Sequence, residues 1–142
     1  MNNRSLLTIV CGILAAWSMP AYGWIKPEQA KNHIGQKREV CGYVDQVKVK
    51  PYGAFINMTQ SVRLKSGLWV KVPLFTVVYW VSDWENVGVT DPEGYFDNSN
   101  YCFTGVIDSH PTSRYKPGYR IPQTRLTDHS QYRLFQPEKK DD

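Results

Sequence analysis

The sequence predicts an all-β fold: a five-stranded barrel with Greek-key connections, an N-terminal helix, and a short helix between strands three and four. The first observation is one long strand over residues 38–49, in which apolar and polar residues alternate. Its apolar positions Val40 and Val44 are even, whereas Val47 is odd, so the phase slips by one residue. We expect a bulge at Asp45-Gln46 to absorb the slip and bend the strand. The second observation is the order of elements, because three strands, a helix and two strands is typical of small Greek-key barrels.

The other elements follow from the same alternation and from turn-forming residues. Ser82 and Glu85 have the spacing of a capping box, which predicts that Ser82 caps the helix after the third strand and that this helix ends near Gly88. Pro122 has no N–H to donate, so the fifth strand is predicted to be an edge strand or a broken one. The predicted elements are a helix over residues 24–34, strands over 38–49, 54–58, 72–81, 101–108 and 119–126, and loops over 59–71, 90–100 and 109–118.

Residues 1–23 are predicted to be a signal peptide. They combine a positive Arg4, an apolar run over residues 6–17 and a small-x-small cleavage site. The apolar run is too short for a membrane span, so we expect an exported protein, periplasmic or secreted, with no span left after cleavage. We expect residues 24–135 to form one domain and residues 136–142 a disordered charged tail.

Cleavage of the signal peptide leaves two cysteines, Cys41 and Cys102, which predicts one disulfide in an exported chain. Both cysteines are out of phase with the apolar residues of their strands, so we expect both to point away from the core. A bond between them requires the first and fourth strands to be neighbours. The same parity places Val106 on the outside.

Six short motifs run through residues 27–107: PEQA, HIGQ, VCGYV, AFINM, FTVVYW and YCFTGVI. Together they resemble a group of small exported bacterial proteins of the oligonucleotide/oligosaccharide-binding fold (OB-fold). The resemblance implies that fold and, by fold analogy, a nucleic-acid-binding-like protein. The chain departs from the group in a longer insert over residues 62–71 and in Pro122, both on the side where such barrels bind ligands.

Ligands of this fold lie across strands two and three, between the loops that join strands one to two and four to five. Here these regions carry cations interleaved with aromatic rings. This pattern is typical of single-stranded nucleic-acid binding, in which cations meet phosphates and rings stack on bases. The alternative is that the charges solvate loops and the rings cap the barrel. The candidate ligand-binding residues are Lys48, Lys50, Tyr52, Arg63, Lys65, Trp69, Lys71, Arg114, Tyr115, Lys116, Tyr119 and Arg120.

The charge balance allows an anionic partner without requiring one, since 17 Lys and Arg stand against 13 Asp and Glu for a net charge of +4. We therefore predict an exported binding module for single-stranded nucleic acid, or for another polyanion or a glycan. The alternative is an exported structural or protein-interaction domain without enzymatic activity. Salt dependence separates the two, because phosphate contacts weaken steeply with added salt and an apolar protein interface does not.

No metal, cofactor or catalytic group is predicted. His33, His110 and His129 are far apart in sequence and have no ligand-like spacing. No convincing cluster of carboxylates marks a nuclease, although that activity is left open. Trp80 and Trp84 flank the junction of the third strand and the short helix, and we expect both to pack in the core or to plug the barrel.

Overall fold

The computed structural model describes residues 23–112 and 118–136, within which the chain forms eight strands, two short α-helices and three 3-10 helices. The helices α1 (Trp84–Val87) and α2 (Pro92–Phe96) lie between the fourth and fifth strands. The 3-10 helices are Pro27–Asn32, Val81–Asp83 and His129–Gln131. The strands are β1 (Lys37–Val44), β2 (Gln46–Lys50), β3 (Gly53–Arg63), β4 (Trp69–Trp80), β5 (Ser99–Val106), β6 (Asp108–Thr112), β7 (Tyr119–Arg125) and β8 (Tyr132–Leu134).

Three segments of the sequence prediction fall outside the described residues. These are the predicted signal peptide apart from its last residue, residues 113–117 of the predicted 109–118 loop, and the predicted tail beyond residue 136. None of the helices that the described residues form has the length and apolarity needed to cross a membrane.

The strands form two sheets. The three-stranded sheet has the order β1-β5-β8 and is antiparallel. The five-stranded sheet has the order β2-β3-β4-β7-β6, with β4 and β7 parallel and every other pair antiparallel.

The expectation of a closed five-stranded barrel, the OB-fold, is wrong, because the eight described strands divide between these two sheets. The predicted first strand ends at Val44 and begins again at Gln46, and its halves β1 and β2 belong to different sheets. The predicted fourth strand divides in the same way at Ile107, between β5 and β6. The slip of apolar phase near Asp45 therefore marks a change of sheet and not a bulge within one ladder.

Asp45, which lies between β1 and β2, connects this crossover to β3 and β4. Its carboxylate accepts hydrogen bonds from the backbone N–H of Thr59, at 3.0 Å, and from the hydroxyl of Thr59. The Nζ atom of Lys71, on β4, lies 3.6 Å from the same carboxylate. The β3–β4 register shifts between Met58 and Thr59, so these contacts fix an irregular part of the sheet against the crossover.

The apolar core joins both sheets. Val40 and Val44 of β1, Ile56 of β3 and Phe103 of β5 are fully buried in one cluster with residues of the helices. Gly42 lets the N-terminal 3-10 helix approach β1, because a Cβ at this position would lie 2.5 Å from Cγ of Pro27.

The helices differ from the prediction in three ways. The N-terminal helix is a shorter 3-10 helix, Pro27–Asn32. Ser82 is not a cap, since it lies inside the 3-10 helix Val81–Asp83 and neither that helix nor α1 has a side-chain cap. Helix α2 lies in the predicted loop 90–100 and is capped by Asp91, whose Oδ1 accepts from the N–H of Gly94 at 3.0 Å. The predicted stop at Gly88 is confirmed, with a φ of 81°.

Two strand predictions are also wrong. The predicted loop 59–71 is mostly strand, because β3 and β4 continue as a hairpin to Arg63 and Trp69. The predicted edge strand β7 lies between β4 and β6. Pro122 fits this interior position because pairing with β4 begins only at the next residue, Gln123.

The disulfide between Cys41 and Cys102 is confirmed, and the two residues lie directly opposite each other on β1 and β5 with a Cα–Cα distance of 4.0 Å. Neither sulfur belongs to the core cluster, in agreement with the predicted parity, and Val106 is 57% exposed as predicted. The cysteines are nevertheless buried, so the sheet face around the disulfide is covered. Their face of the sheet also holds the ion pair of Glu39 and Arg133, which are paired in register with Thr104 and Cys102.

Candidate functional site

The face of the five-stranded sheet that points away from the core carries two cavities. One has a volume of about 440 Å³ and the other about 420 Å³, and Gln123 lines both. We call the second cavity, at the end near β2, the groove. Its lining residues come from β2, β3, β4, β6 and β7 and from no other described element: Lys48, Lys50, Phe55, Asn57, Pro73, Thr76, His110, Thr112, Ile121 and Gln123.

The floor of the groove is a row of polar side chains across three strands. Thr76 on β4 donates to Oδ1 of Asn57 on β3 at 2.7 Å, and Asn57 donates to Oε1 of Gln46 on β2 at 3.1 Å. Cross-strand partners share a face, and the register places these three residues and Gln123 in one row. Asn57 and Thr76 are buried, so their mutual hydrogen bond removes the cost of burying two polar groups without partners.

Three aromatic rings pack together beside this floor. Tyr52, Phe55 and Trp80 have ring centroids 5.9 to 6.4 Å apart, with one tilted and two edge-on contacts. Tyr52 is 55% exposed, and the other two rings are half-buried. We call this cluster the aromatic platform, and aromatic side chains of this kind can stack on bases or sugar rings.

Two lysines lie on the strand next to the rings, on the same face of the sheet. Lys48 pairs in register with Phe55, and Lys50 pairs with Gly53, which itself lies opposite Trp80. Of the described residues that line the groove, none is acidic. The groove therefore offers an anion cationic side chains beside a platform of rings, over a floor of hydroxyl and amide groups.

The far end of the same face is different in charge. It is lined by Asp108 and Arg125 together with Trp80 and Val78. Arg125 donates from Nη2 to Oδ2 of Asp83 at 2.9 Å and from Nε to the same oxygen at 3.1 Å. This end combines one cation with the carboxylates of Asp83 and Asp108, so it carries less positive charge than the end lined by Lys48 and Lys50.

The structure brings only some of the predicted site residues together. Lys48 and Lys50 line the groove, and Tyr52 is in its aromatic platform. Lys65 lies in the β3–β4 turn, and Trp69 and Lys71 lie on the hairpin beyond the groove. Arg63, also named from the sequence, lies opposite Trp69 on this hairpin.

The remaining predicted residues are around β6 and β7. The hydroxyl of Tyr119 donates to the carbonyl oxygen of Pro73 at 2.8 Å, so this ring fastens β7 to β4. Arg120 donates to the hydroxyl and the carbonyl of Ser109 on the paired strand β6. Both residues line a separate hollow of about 280 Å³. Arg114, Tyr115 and Lys116 lie outside the described residues.

The sequence analysis missed most of the groove. Trp80 packs against Tyr52 and Phe55 on the face that points away from the core, so the expectation that it packs in the core or plugs a barrel is wrong. Trp84 does pack against the core. The signal was present in the alternation of β4, where Thr76 and Trp80 share a parity opposite to that of the buried Tyr79. Asn57, His110 and Gln123 carry no such signal, because single polar residues on a strand are usual.

One cluster outside the groove has the composition of a metal site. Glu39, Cys41 and Cys102 place three ligand atoms within 4.8 Å of one another. The disulfide occupies both sulfurs, and metals bind the thiolate form. Arg133 donates two hydrogen bonds to Glu39, at 2.8 and 3.0 Å, and these bonds hold the pKa of Glu39 below its usual value. With the disulfide formed, this cluster is a structural cross-strand contact.

Comparison with known proteins identifies no family, since no family of proteins and no curated protein matches the chain. Solved structures do match, and one is described as a putative aspartyl-tRNA synthetase from Leishmania major Friedlin, at 8% sequence identity and a TM-score of 0.46. The match covers 90% of this chain and 25% of that one, so this chain spans a quarter of that protein's length. A likeness at this level carries no argument about function.

Proposed function

We propose that this protein is an exported binding module whose groove binds single-stranded nucleic acid. The observation that carries the proposal is the aromatic platform of Tyr52, Phe55 and Trp80 beside Lys48 and Lys50 on one exposed sheet face. A single strand presents flat bases and a regular row of phosphates, and the groove offers rings and cations in adjacent rows.

The polar floor suits the same ligand. Base edges carry both donors and acceptors, and the amide of Gln123 can act as either, while Thr76 and Asn57 beneath it are buried and bonded to each other. Single-stranded ligands are recognised on unstacked bases, so a shallow sheet face is sufficient and a deep cavity is not needed. Export is part of the proposal because the disulfide is typical of oxidising compartments.

The test is titration of labelled single-stranded DNA and RNA with the purified protein at several salt concentrations. The change Lys50→Ala should reduce the slope of log affinity against log salt by about one unit, because one phosphate contact is lost. The change Tyr52→Ala should weaken binding about 5- to 150-fold at every salt concentration with little change in slope, because stacking contributes about 1–3 kcal/mol per base and releases no counterion.

Matched controls lie elsewhere on the surface. Lys31→Ala removes an exposed cation from the N-terminal 3-10 helix, and Tyr43→Ala removes a ring that is 49% exposed on β1. Both variants should bind as the parent does. The proposal is wrong if the parent binds no oligonucleotide, or if the two controls weaken binding as much as the groove variants. Binding of a neutral glycan that depends on Tyr52 but not on salt would replace nucleic acid with a sugar ligand.

A further inference from the structure

The β3–β4 hairpin extends beyond the rest of its sheet. Strand β2 pairs with β3 only as far as Asn57, and β7 pairs with β4 only from Thr76 onward. The five pairs from Thr59↔Pro73 to Arg63↔Trp69 therefore form a two-stranded ribbon, which we call the arm. Arg63 is six residues beyond Asn57, so at about 3.3 Å per residue the end of the ladder lies roughly 20 Å past the last row that β2 and β7 share.

The tip of the arm is a tight, ordered turn. The N–H of Leu64 donates to the carbonyl of Leu68 at 2.8 Å, and the N–H of Gly67 donates to the carbonyl of Leu64 at 2.9 Å. Gly67 has a φ of 87°, which is the left-handed residue of a three-residue hairpin loop with a glycine bulge. The two leucines thus close the ladder as a fixed pair.

This ordered tip exposes large apolar side chains. Leu68 and Trp69 are 63% and 64% exposed, and Leu64 is 41% exposed. Successive residues of a strand point to opposite faces, so the leucine pair lies on one face of the ribbon and Trp69 lies on the other. The tip is therefore apolar on both of its faces.

The charge around the tip has one sign. Arg63 and Lys65 flank the leucines and are exposed, and residues 59–73 contain no Asp or Glu. We propose that the arm is a membrane-docking device, which inserts Leu64, Leu68 and Trp69 into the interface of an anionic lipid bilayer while Arg63 and Lys65 bind its headgroups.

Geometry favours a lipid surface over a protein partner. A protein surface placed against one face of a two-stranded ribbon leaves the other face in water, whereas a lipid interface surrounds an inserted tip. Tryptophan favours the membrane interface, and each lysine or arginine near an anionic surface adds attraction.

The protein is isolated from the cells that produce it. The test is whether it co-sediments with each of two kinds of lipid vesicle. One kind is phosphatidylcholine alone, and the other contains phosphatidylglycerol as well. The parent should bind the anionic vesicles. Leu68→Ser should weaken this binding about tenfold by removing inserted apolar area, and Lys65→Gln should weaken it about fivefold, with the loss confined to anionic vesicles.

Leu134→Ser is the matched control, because Leu134 is 65% exposed on β8 in the other sheet. It should bind vesicles as the parent does. All three variants alter exposed positions, so we expect their thermal midpoints to equal that of the parent. Equal midpoints would show that any loss of vesicle binding is not caused by unfolding. Failure of the parent to bind anionic vesicles, equal binding by Leu68→Ser and the parent, or an equal loss with Leu134→Ser would each overturn the proposal. A concentration-dependent dimer that Leu68→Ser abolishes would replace the membrane with a second copy of the chain.

Discussion

The outer face of the three-stranded sheet and the groove face of the five-stranded sheet are both built from polar residues paired across strands. On the outer face the pairs close on themselves, since Cys41 is bonded to Cys102 and Glu39 accepts two hydrogen bonds from Arg133. On the groove face the row of Gln46, Asn57 and Thr76 is bordered by three aromatic rings and two lysines, of which Tyr52 and Lys50 are exposed. The outer face thus stabilises the fold by bonds within itself, whereas the groove face combines its polar row with the rings and lysines on which the proposed ligand binding depends.

The disulfide provides the largest expected effect. Replacing both cysteines, as Cys41→Ser with Cys102→Ser, should lower the free energy of unfolding by about 4 kcal/mol, because the bond closes a loop with a sequence separation of 61 residues. Urea denaturation measures this loss. Ligand binding by the fraction that remains folded should be unchanged, as the groove lies on the other sheet. Val106→Thr alters an exposed position of the same sheet and, as the control, should not shift the midpoint. A loss of less than about 1 kcal/mol would mean that this face does not depend on its covalent bond.

The groove floor should show a smaller effect on stability and a clear one on binding. Thr76→Val keeps the shape of the side chain but leaves Oδ1 of Asn57 without its donor, which should cost about 1–2 kcal/mol. Oligonucleotide affinity should fall as well, because Asn57 is no longer fixed in orientation. Thr90→Val alters an exposed threonine and should change neither quantity. If Thr76→Val lowers stability while the oligonucleotide affinity stays at the parent's value, then the floor stabilises the fold, as the outer face does, and does not contribute to binding.

The Glu39–Arg133 pair gives the smallest effect, and it depends on pH. The pKa of Glu39 is lowered in the folded state by its hydrogen bonds from Arg133, so its contribution is complete above the unfolded value of 4.5 and is lost as pH falls through the folded value. Arg133 is 53% exposed, so Glu39→Gln should cost only about 0.5 kcal/mol at pH 7. Denaturation curves of parent and variant should converge at acid pH. Glu85→Gln, on the exposed side of α1, should track the parent throughout; a gap that widens in acid would mean that folding does not lower the pKa of Glu39.

The sequence could predict those features that depend on the alternation of apolar and polar residues within one strand. The phase slip near Asp45 located the crossover between sheets, although it could not show that the two halves would pair with different partners. The parity of Cys41 and Cys102 predicted their pairing. Their burial depends on packing around the sheet face, which no alternation within a single strand encodes.

Other features have no local signal. Residues 59–63 are mostly polar and show no apolar alternation, so this part of the arm resembles a loop in sequence. Strand β8 has only three residues and is defined by its partner β5. For the groove, alternation placed Phe55 with Asn57 and Trp80 with Thr76, but which side faced the core could be decided only after both sheets were in place.

The chain's two crossovers, at Asp45 and Ile107, also impose an order on folding. The β3–β4 hairpin joins neighbours in sequence and can form as soon as residues 53–80 are available. The β1–β5 ladder must close a loop of about 60 residues, and β5 then accepts β8 from near the end of the described chain. We therefore expect the β3–β4 hairpin to form early and the three-stranded sheet late. Formation of the Cys41–Cys102 disulfide requires β1 and β5 to be paired. Its rate of formation during folding would therefore report when the three-stranded sheet closes.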